Sequence, residues 1–270
     1  MTTDSKHGNK MHLIIGGDST LGGALADDWR QRQMRFHAST RRHKSISPVR
    51  PYIDLQHGIW PDYLGDYRCA VFCAGIANLL VCEHNRSVAQ WVNVTQTVNL
   101  ASALIQAGCF VVFLSTNQVF DGRKPYREIN EPVCPVTAYG EQKAEAEQQL
   151  LALHKTAVLR LTKVVHADMP LLQQWRQDIL AGKRIYPFAD MTFAPVWLSQ
   201  VVQRVTALMH AKPPVPGIFH LSGQDQSYYD FAVHLCRDWV TSPQQIEPAS
   251  YQQNAELAKL AIPAFTSLKM

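Results

Sequence analysis

No stretch of the 270-residue chain is long and apolar enough to read as a membrane helix, because its apolar runs are short and broken by polar residues. Met1 to Lys10 is polar and lacks the apolar core of a signal peptide, so it reads as a disordered lead-in. Metal-binding patterns are missing as well. Cys69, Cys73, Cys82, Cys109, Cys134 and Cys236 form no C-x-x-C, and several sit in strand-like apolar runs where cysteine acts as a small hydrophobe. The eleven histidines form no H-E-x-x-H, which speaks against zinc hydrolysis. Cys82-Glu83-His84 has no further ligand near it in sequence and reads as a turn at a helix start. These features fit a reducing cytosol. Strong charge is lacking too: the net charge is only +4, concentrated between Arg30 and Arg50. That basic stretch has no interleaved aromatics, so neither a nucleic acid nor a membrane is an expected partner.

What the chain does contain is alternation. Strand-like runs at Met11–Ile15, Arg35–Ser39, Tyr52–Leu55, Cys69–Ala74, Cys109–Leu114 and Ala157–Leu161 are separated by helical patterns near 20–34, 87–106 and 137–153. This order predicts an α/β fold, a Rossmann-type doubly wound parallel sheet. After Val164 the prolines become frequent and the strands sparse. The expected division is therefore a nucleotide-binding domain over 11–163 and a smaller C-terminal substrate-binding lobe over 164–270, with some segments returning to the sheet. The last residues, Ser267 to Met270, follow a proline-containing segment and carry no closing helix.

The first strand runs into Gly16-Gly17-Asp18-Ser19-Thr20-Leu21-Gly22-Gly23. A phosphate-transferring P-loop needs a lysine where Gly23 stands, so that reading fails. A dinucleotide turn fits, with Gly16 and Gly22 in the outer glycine places and Ser19 in the middle one. There its hydroxyl is expected on a phosphate oxygen. The alternative is a plain glycine turn. An NAD site carries a carboxylate at the end of the second strand, but this chain has Ser39-Thr40-Arg41-Arg42. Two guanidiniums there suit the 2′-phosphate of NADP, the alternative being a solvated basic loop. Further on come Ser115-Thr116, Val119-Phe120-Asp121-Gly122 and Tyr139-x-x-x-Lys143. Tyr139 and Lys143, four apart on a helix, share a face. The ammonium is expected to pull the phenol's pKa down and make Tyr139 a general acid or base.

Taken together, these segments resemble the extended short-chain dehydrogenase/reductases, most closely the dTDP-4-dehydrorhamnose reductase-like branch of nucleotide-sugar enzymes. Further matches are Asp54-Leu55, Cys73-Ala74-Gly75, Asn93, Tyr126-Arg127-Glu128, Leu159-Arg160, Ala194-Pro195-Val196 and the Gly217 to Gly223 run. The resemblance implies an NADP(H)-dependent reductase of a 4-keto nucleotide sugar, with NAD as the alternative cofactor. It makes Tyr139 the proton donor, Lys143 its partner and a ligand of the nicotinamide ribose, and Thr116 a donor to the reacting oxygen. The cofactor would lie along Gly16, Asp18, Ser19, Thr20, Leu21, Gly22, Arg41, Arg42, Asp54, Leu55, Cys73, Ala74 and Gly75, besides Tyr139 and Lys143.

Candidates on the substrate side are Asn117, Val119, Lys163, Phe193 and Trp197. Lys163 reads equally as a surface lysine, and Phe193 and Trp197 equally as lobe core. Asp121 and Glu128, among Arg123, Lys124 and Arg127, read as solvated or ion-paired. A nucleotide sugar is the expected partner, and a homodimer stays open. Two other functions stay open: an epimerase or dehydratase of the same family, and a non-catalytic NADP-binding regulatory subunit. Dehydratase chemistry calls for an Asp-Glu pair where Asn117-Gln118 stands, and the intact Thr116, Tyr139 and Lys143 speak against a retired site.

Overall fold

A computed structural model describes residues 11–253 and 266–270; the lead-in expected at 1–10 lies outside the described residues. In chain order the elements are β1 (Met11–Ile15), α1 (Thr20–Gln31), β2 (Phe36–Ala38), β3 (Tyr67–Phe72), α2 (Leu79–His84) and α3 (Arg86–Gln90). After a π-helical turn at Trp91–Gln96 come α4 (Thr97–Gln106), β4 (Phe110–Thr116), α5 (Ala138–Leu151), β5 (Thr156–Leu161) and β6 (Lys163–Val165). The remainder is α6 (Pro170–Leu180), β7 (Thr192–Phe193), β8 (Pro195–Trp197), α7 (Leu198–His210), β9 (Gly217–Leu221), β10 (Gln226–Ser227) and α8 (Tyr228–Cys236).

Six strands form one parallel sheet in the order β2-β1-β3-β4-β5-β9. Strand residues alternate between faces, and both faces are covered. Leu13, Ile15, Phe72, Val111 and Phe113 pack with Leu100 and Leu104 of α4 and Leu150 of α5. Ile14, Val71, Val112 and Leu159 pack on the other side with Leu25 and Trp29 of α1 and Val201 and Val205 of α7. This double cover is why the strands read as continuous apolar runs. The Trp29 indole also donates to the Thr206 hydroxyl at 2.8 Å, tying α1 to α7. Tyr52–Leu55, expected as a strand, is reduced to isolated bridges from Thr40 to Tyr52 and from Asp54 to Ile59. Pro51 precedes it, has no amide to give a ladder, and leaves that edge short. Cys82, Glu83 and His84 lie inside α2, not in a turn at its start.

Beyond β6, a second apolar cluster of Trp175, Ile179, Phe193, Phe231 and Ile246 gives the C-terminal part a core of its own. The sheet takes α7 and β9 back from this region.

Two long-range locks hold the sheet's carboxyl edge. The first is buried: Arg160 of β5 donates from Nη2 to Glu147 of α5 at 2.7 Å, with both side chains only 3% exposed. Its Nη1 donates to the Ile129 carbonyl and its guanidinium lies 5.1 Å from the Phe120 ring centroid. The second lock is the C-terminal segment. The Asp225 carboxylate accepts from the backbone and hydroxyl groups of both Thr266 and Ser267. The Thr266 carbonyl then accepts from the Asn117 amide at 2.9 Å. Leu268 bridges to Arg127 and is buried with Val119 and Phe120, and Lys269 pairs with Glu128 at 2.8 Å. The final residues, which carry no helical pattern in sequence, thus close over the loop that follows β4.

Removing one member of a buried pair strands the other charge. Arg160→Leu should therefore lower unfolding free energy in urea by about 3–5 kcal/mol, and the Arg160→Leu/Glu147→Leu double variant by much less. Equal losses would show that the pair is not coupled. Asp225→Ala should leave four donors without their acceptor. It should raise hydrogen exchange across 117–127 while β1 and β3 stay protected; unchanged exchange there would mean the tail does not hold the loop.

Candidate functional site

Parallel strands end on one edge, and the turns that leave β1, β3 and β4 meet there. Gly16 adopts φ +87°, and a Cβ on it would lie 2.7 Å from the Ala74 nitrogen. A Cβ on Gly22 would lie 2.2 Å from the Gly16 carbonyl oxygen. Only glycine lets the turn, the helix and the β3 end approach so closely. Ser19 caps α1: its hydroxyl donates to the Gly16 carbonyl at 2.8 Å and accepts from the Gly22 amide at 3.0 Å. The hydroxyl's proton is thus engaged within the turn, while Ser19 itself lines the cavity above it. The Ser39 hydroxyl accepts from the Gly16 amide at 2.9 Å and pins the turn to the end of β2.

Above this edge lies a cavity of about 550 Å³, lined by Gly16, Asp18, Ser19, Arg41, Arg42, Asp54, Leu55, Cys73, Ala74 and Gly75 among others. A second, of about 250 Å³, is lined by Leu21, Thr116, Tyr139 and Lys143. Both are bordered by Cys73, Ala74, Gly75 and Ile76, so they form two halves of one groove. Of the residues expected to hold a cofactor, Thr20 and Gly22 do not line it; Gly22 acts from beneath, through packing. Residues given no role from sequence also face the groove, notably Thr40, Gln56, Ser115 and Thr162. Thr40, Ser115 and Thr162 lie at the ends of β2, β4 and β5, and Gln56 follows the bridged Asp54.

The groove suits an extended ligand with an anionic centre. The N-terminal turn of α1 opens onto it, and Arg41 and Arg42 stand at its far end. The Ser115 hydroxyl lines the smaller half, is buried, and has no partner among the described residues. A buried donor of this kind is expected to be matched by a ligand group. The floor is held rigidly by Asn93 in the π-helical turn. Its Oδ1 accepts from the Ile76 amide at 2.8 Å, and its Nδ2 donates to the Ile76 carbonyl and to Gln142 of α5, each at 2.9 Å. The five-residue hydrogen bonding of a π turn re-aims one side chain at such a point. Asp54 is buried and accepts from the Gln56 amide at 2.8 Å, the Tyr52 hydroxyl and His57. Burial pushes its pKa up, but these donors outweigh it and keep the carboxyl below its usual range.

Tyr139 and Lys143 stand on α5 behind an N-cap, the Thr137 hydroxyl accepting from the Gly140 amide at 3.1 Å. Lys143 is buried with Nζ 3.9 Å from the Phe113 ring centroid. Burial brings its pKa down to about 8, against the opposing pull of Glu147 and Cys82. For Tyr139 the expectation is corrected: burial, then the nearby Cys82, push its phenol upward, not down. The desolvation of both groups outweighs their sharing of a helix face. The phenol is therefore held protonated at neutral pH. The Thr116 hydroxyl donates to Asn117 Oδ1 at 3.2 Å and accepts from the Gln118 amide at 3.2 Å.

The substrate-side candidates scatter. Asn117 points its amide at the Thr266 carbonyl and its oxygen at Thr116. Val119 is 0% exposed and packs with Phe120 and Leu268, so it is not available to a substrate. Phe193 is core: it stacks on Tyr228 at 4.1 Å between centroids and meets Phe231 edge-on. Trp197 is exposed on a separate groove with Pro195, Phe231 and His234. Lys163 is exposed between Thr162 and Val164, which line the smaller half. Asp121 and Glu128 are ion-paired, with Arg127 and Lys269 respectively.

Known proteins resemble the chain along nearly its whole length. It is 25% identical over 227 residues to the methionine adenosyltransferase 2 subunit beta of Xenopus tropicalis, covering 79% of this chain and 67% of that protein. The dTDP-4-dehydrorhamnose reductase of Bacillus anthracis, solved in complex with NADP, superposes with a TM-score of 0.79 at 19% identity, covering 96% and 89% of the two chains. A structure of MoeE5 with UDP-glucose and NAD superposes with a TM-score of 0.75 at 18% identity, covering 95% and 89%. A family model described as the RmlD substrate binding domain matches residues 10–269. The chain belongs to this RmlD family, the dTDP-4-dehydrorhamnose reductase-like branch of the extended short-chain dehydrogenase/reductases.

Proposed function

We propose that the protein is a nicotinamide-dependent reductase of a 4-keto nucleotide sugar, working with NADP(H). One observation carries this reading: Thr116, Tyr139 and Lys143 line one cavity, which continues past Cys73 to Ile76 into a larger one at the glycine turn. The larger half suits the adenosine diphosphate portion of a dinucleotide, with Arg41 and Arg42 beside the ribose. A bound dinucleotide supplies the hydride. The protein's own residues handle the oxygen. Tyr139, kept protonated by burial, gives its proton to the oxygen on which charge grows, and Thr116, turning its hydroxyl proton away from Asn117 Oδ1, donates a second hydrogen bond to it. Lys143 sets a positive charge beneath the site and offers its ammonium to the ribose. Once Tyr139 has released its proton, that ammonium stabilises the phenolate left behind.

The sugar portion is assigned to the lobe built around Trp175 and Phe231, with Lys163 at its border. Cys69, Cys73, Cys82, Cys134 and Cys236 form no disulfide, which suits a reducing cytosol. Among the described residues no helix is long and apolar enough to cross a membrane. A second reading, a subunit that binds the nucleotide and serves a partner enzyme, is favoured by the similarity to a methionine adenosyltransferase subunit. NADPH consumption matched one-for-one by loss of a keto nucleotide sugar separates the two.

Two outcomes test the mechanism. Tyr139→Phe should keep NADPH affinity in calorimetry and lose turnover by about two orders of magnitude or more; full activity would rule out the phenol as acid. The pH dependence follows from Lys143. Its folded pKa, about 8, lies below the unfolded value near 10.5, so the folded protein sheds this proton first as pH rises. kcat/KM should therefore fall above an apparent pKa of about 8, while this group's contribution to the stability of the ligand-free protein increases between about 8 and 10.5. A profile flat to about pH 9.5 would contradict the role given to Lys143.

A further inference from the structure

The corner of the groove at the end of β2 holds a charge arrangement that none of the expected cofactor roles explains. No acidic residue stands directly after β2, where Ser39-Thr40-Arg41-Arg42 follow, yet a carboxylate is found there. It belongs to Asp18 and arrives from the glycine turn. Its Oδ2 accepts from the Thr40 hydroxyl at 2.7 Å and from the Arg41 amide at 3.3 Å. Its Oδ1 accepts from the Arg50 guanidinium at 2.5 Å. The side chain is 22% exposed and lines the larger cavity together with Ser39, Thr40, Arg41 and Arg42. Arg41 and Arg42 themselves form no ion pair among the described residues. Three guanidiniums and one carboxylate therefore share the place where an adenosine ribose 2′-position is read.

Their interactions oppose one another. A ribose 2′-hydroxyl is a donor and finds in Asp18 the acceptor that β2 does not provide. A 2′-phosphate carries nearly two negative charges. It gains from Arg41 and Arg42 but meets the Asp18 carboxylate, which also keeps Arg50 occupied. The carboxyl group stays ionised: burial pushes its pKa up, and the Thr40 and Arg41 hydrogen bonds with Arg50 and Arg42 pull it below the usual value.

We propose that Asp18 is the cofactor-specificity residue of this protein, reading the ribose 2′-hydroxyl from the glycine turn and restraining the preference for a 2′-phosphate that Arg41 and Arg42 create. The proposal rests on the nicotinamide-nucleotide reading of the groove. Arg50 is then the counter-ion that moderates the repulsion.

The test is calorimetric titration of the full chain with NADPH and with NADH, for the wild type, Asp18→Asn and Arg50→Gln. Asparagine keeps an acceptor for Thr40 and removes the charge. Asp18→Asn should tighten NADPH about tenfold and weaken NADH several-fold. Arg50→Gln leaves the carboxylate uncompensated and should move the ratio the other way, weakening NADPH more than NADH. If both variants shift the two affinities by the same factor, or shift neither, Asp18 only latches the turn to β2 and the proposal is overturned. If Asp18→Asn does not fold, an unchanged ratio in Arg50→Gln overturns it alone. Failure of the wild type to bind either dinucleotide defeats the nucleotide reading itself, an outcome distinct from binding with an unaltered ratio.

Discussion

Backbone meets backbone where β1 and β3 leave the sheet: a Cβ at Gly16 would lie 2.7 Å from the Ala74 nitrogen, and one at Gly22 2.2 Å from the Gly16 carbonyl oxygen. This approach lowers the first turn onto the β3 end and makes Cys73 to Ile76 the shared border of both cavities. The hydrogen bonds that surround the contact keep it in place. Ser19 closes the turn from within, Ser39 ties it to β2, and Asn93 ties the β3 end to α5. These bonds join the turn, the end of β2, the β3 end and the helix with Tyr139 and Lys143 into one connected framework.

The same edge explains the chemistry assigned to it. A phenol kept neutral by desolvation is suited to give a proton away, which is what carbonyl reduction asks of it. Lys143, buried over Phe113, is costly to keep charged and so responds to a modest rise in pH. The Thr116 hydroxyl is oriented through Asn117, and Asn117 through Thr266 and Asp225. The C-terminal segment is in this way part of the scaffold of the site.

Much of this was legible in the sequence because it is local. Continuous apolar runs marked β1, β3, β4 and β5, and the glycine turn and the Tyr139/Lys143 spacing marked the groove's two ends. What stayed hidden is long-range. The Asp18 to Arg50 contact spans 32 residues and the Asn117 to Thr266 contact 149, and neither leaves a periodic trace. Val119 and Phe193 stood beside plausible motifs, but burial decided against them, and burial is a property of the assembled core. The direction of the Tyr139 shift was missed for the same reason: helix spacing reports the lysine's nearness and says nothing of how much water the fold removes. Tyr52 illustrates a weaker local signal, where a β-prone run after Pro51 met only single bridges at the sheet's edge.

The central claim is that hydride from a bound nicotinamide reaches a sugar carbonyl whose oxygen Tyr139 protonates. Its most direct test is isotopic. Protein incubated with NADPH deuterated at the transferable position and with a dTDP-4-keto-6-deoxyhexose should yield a nucleotide sugar carrying a single deuterium on the reduced carbon, seen by mass spectrometry. A nucleotide that binds the groove and is recovered with its label intact, beside unchanged keto sugar, would contradict the account.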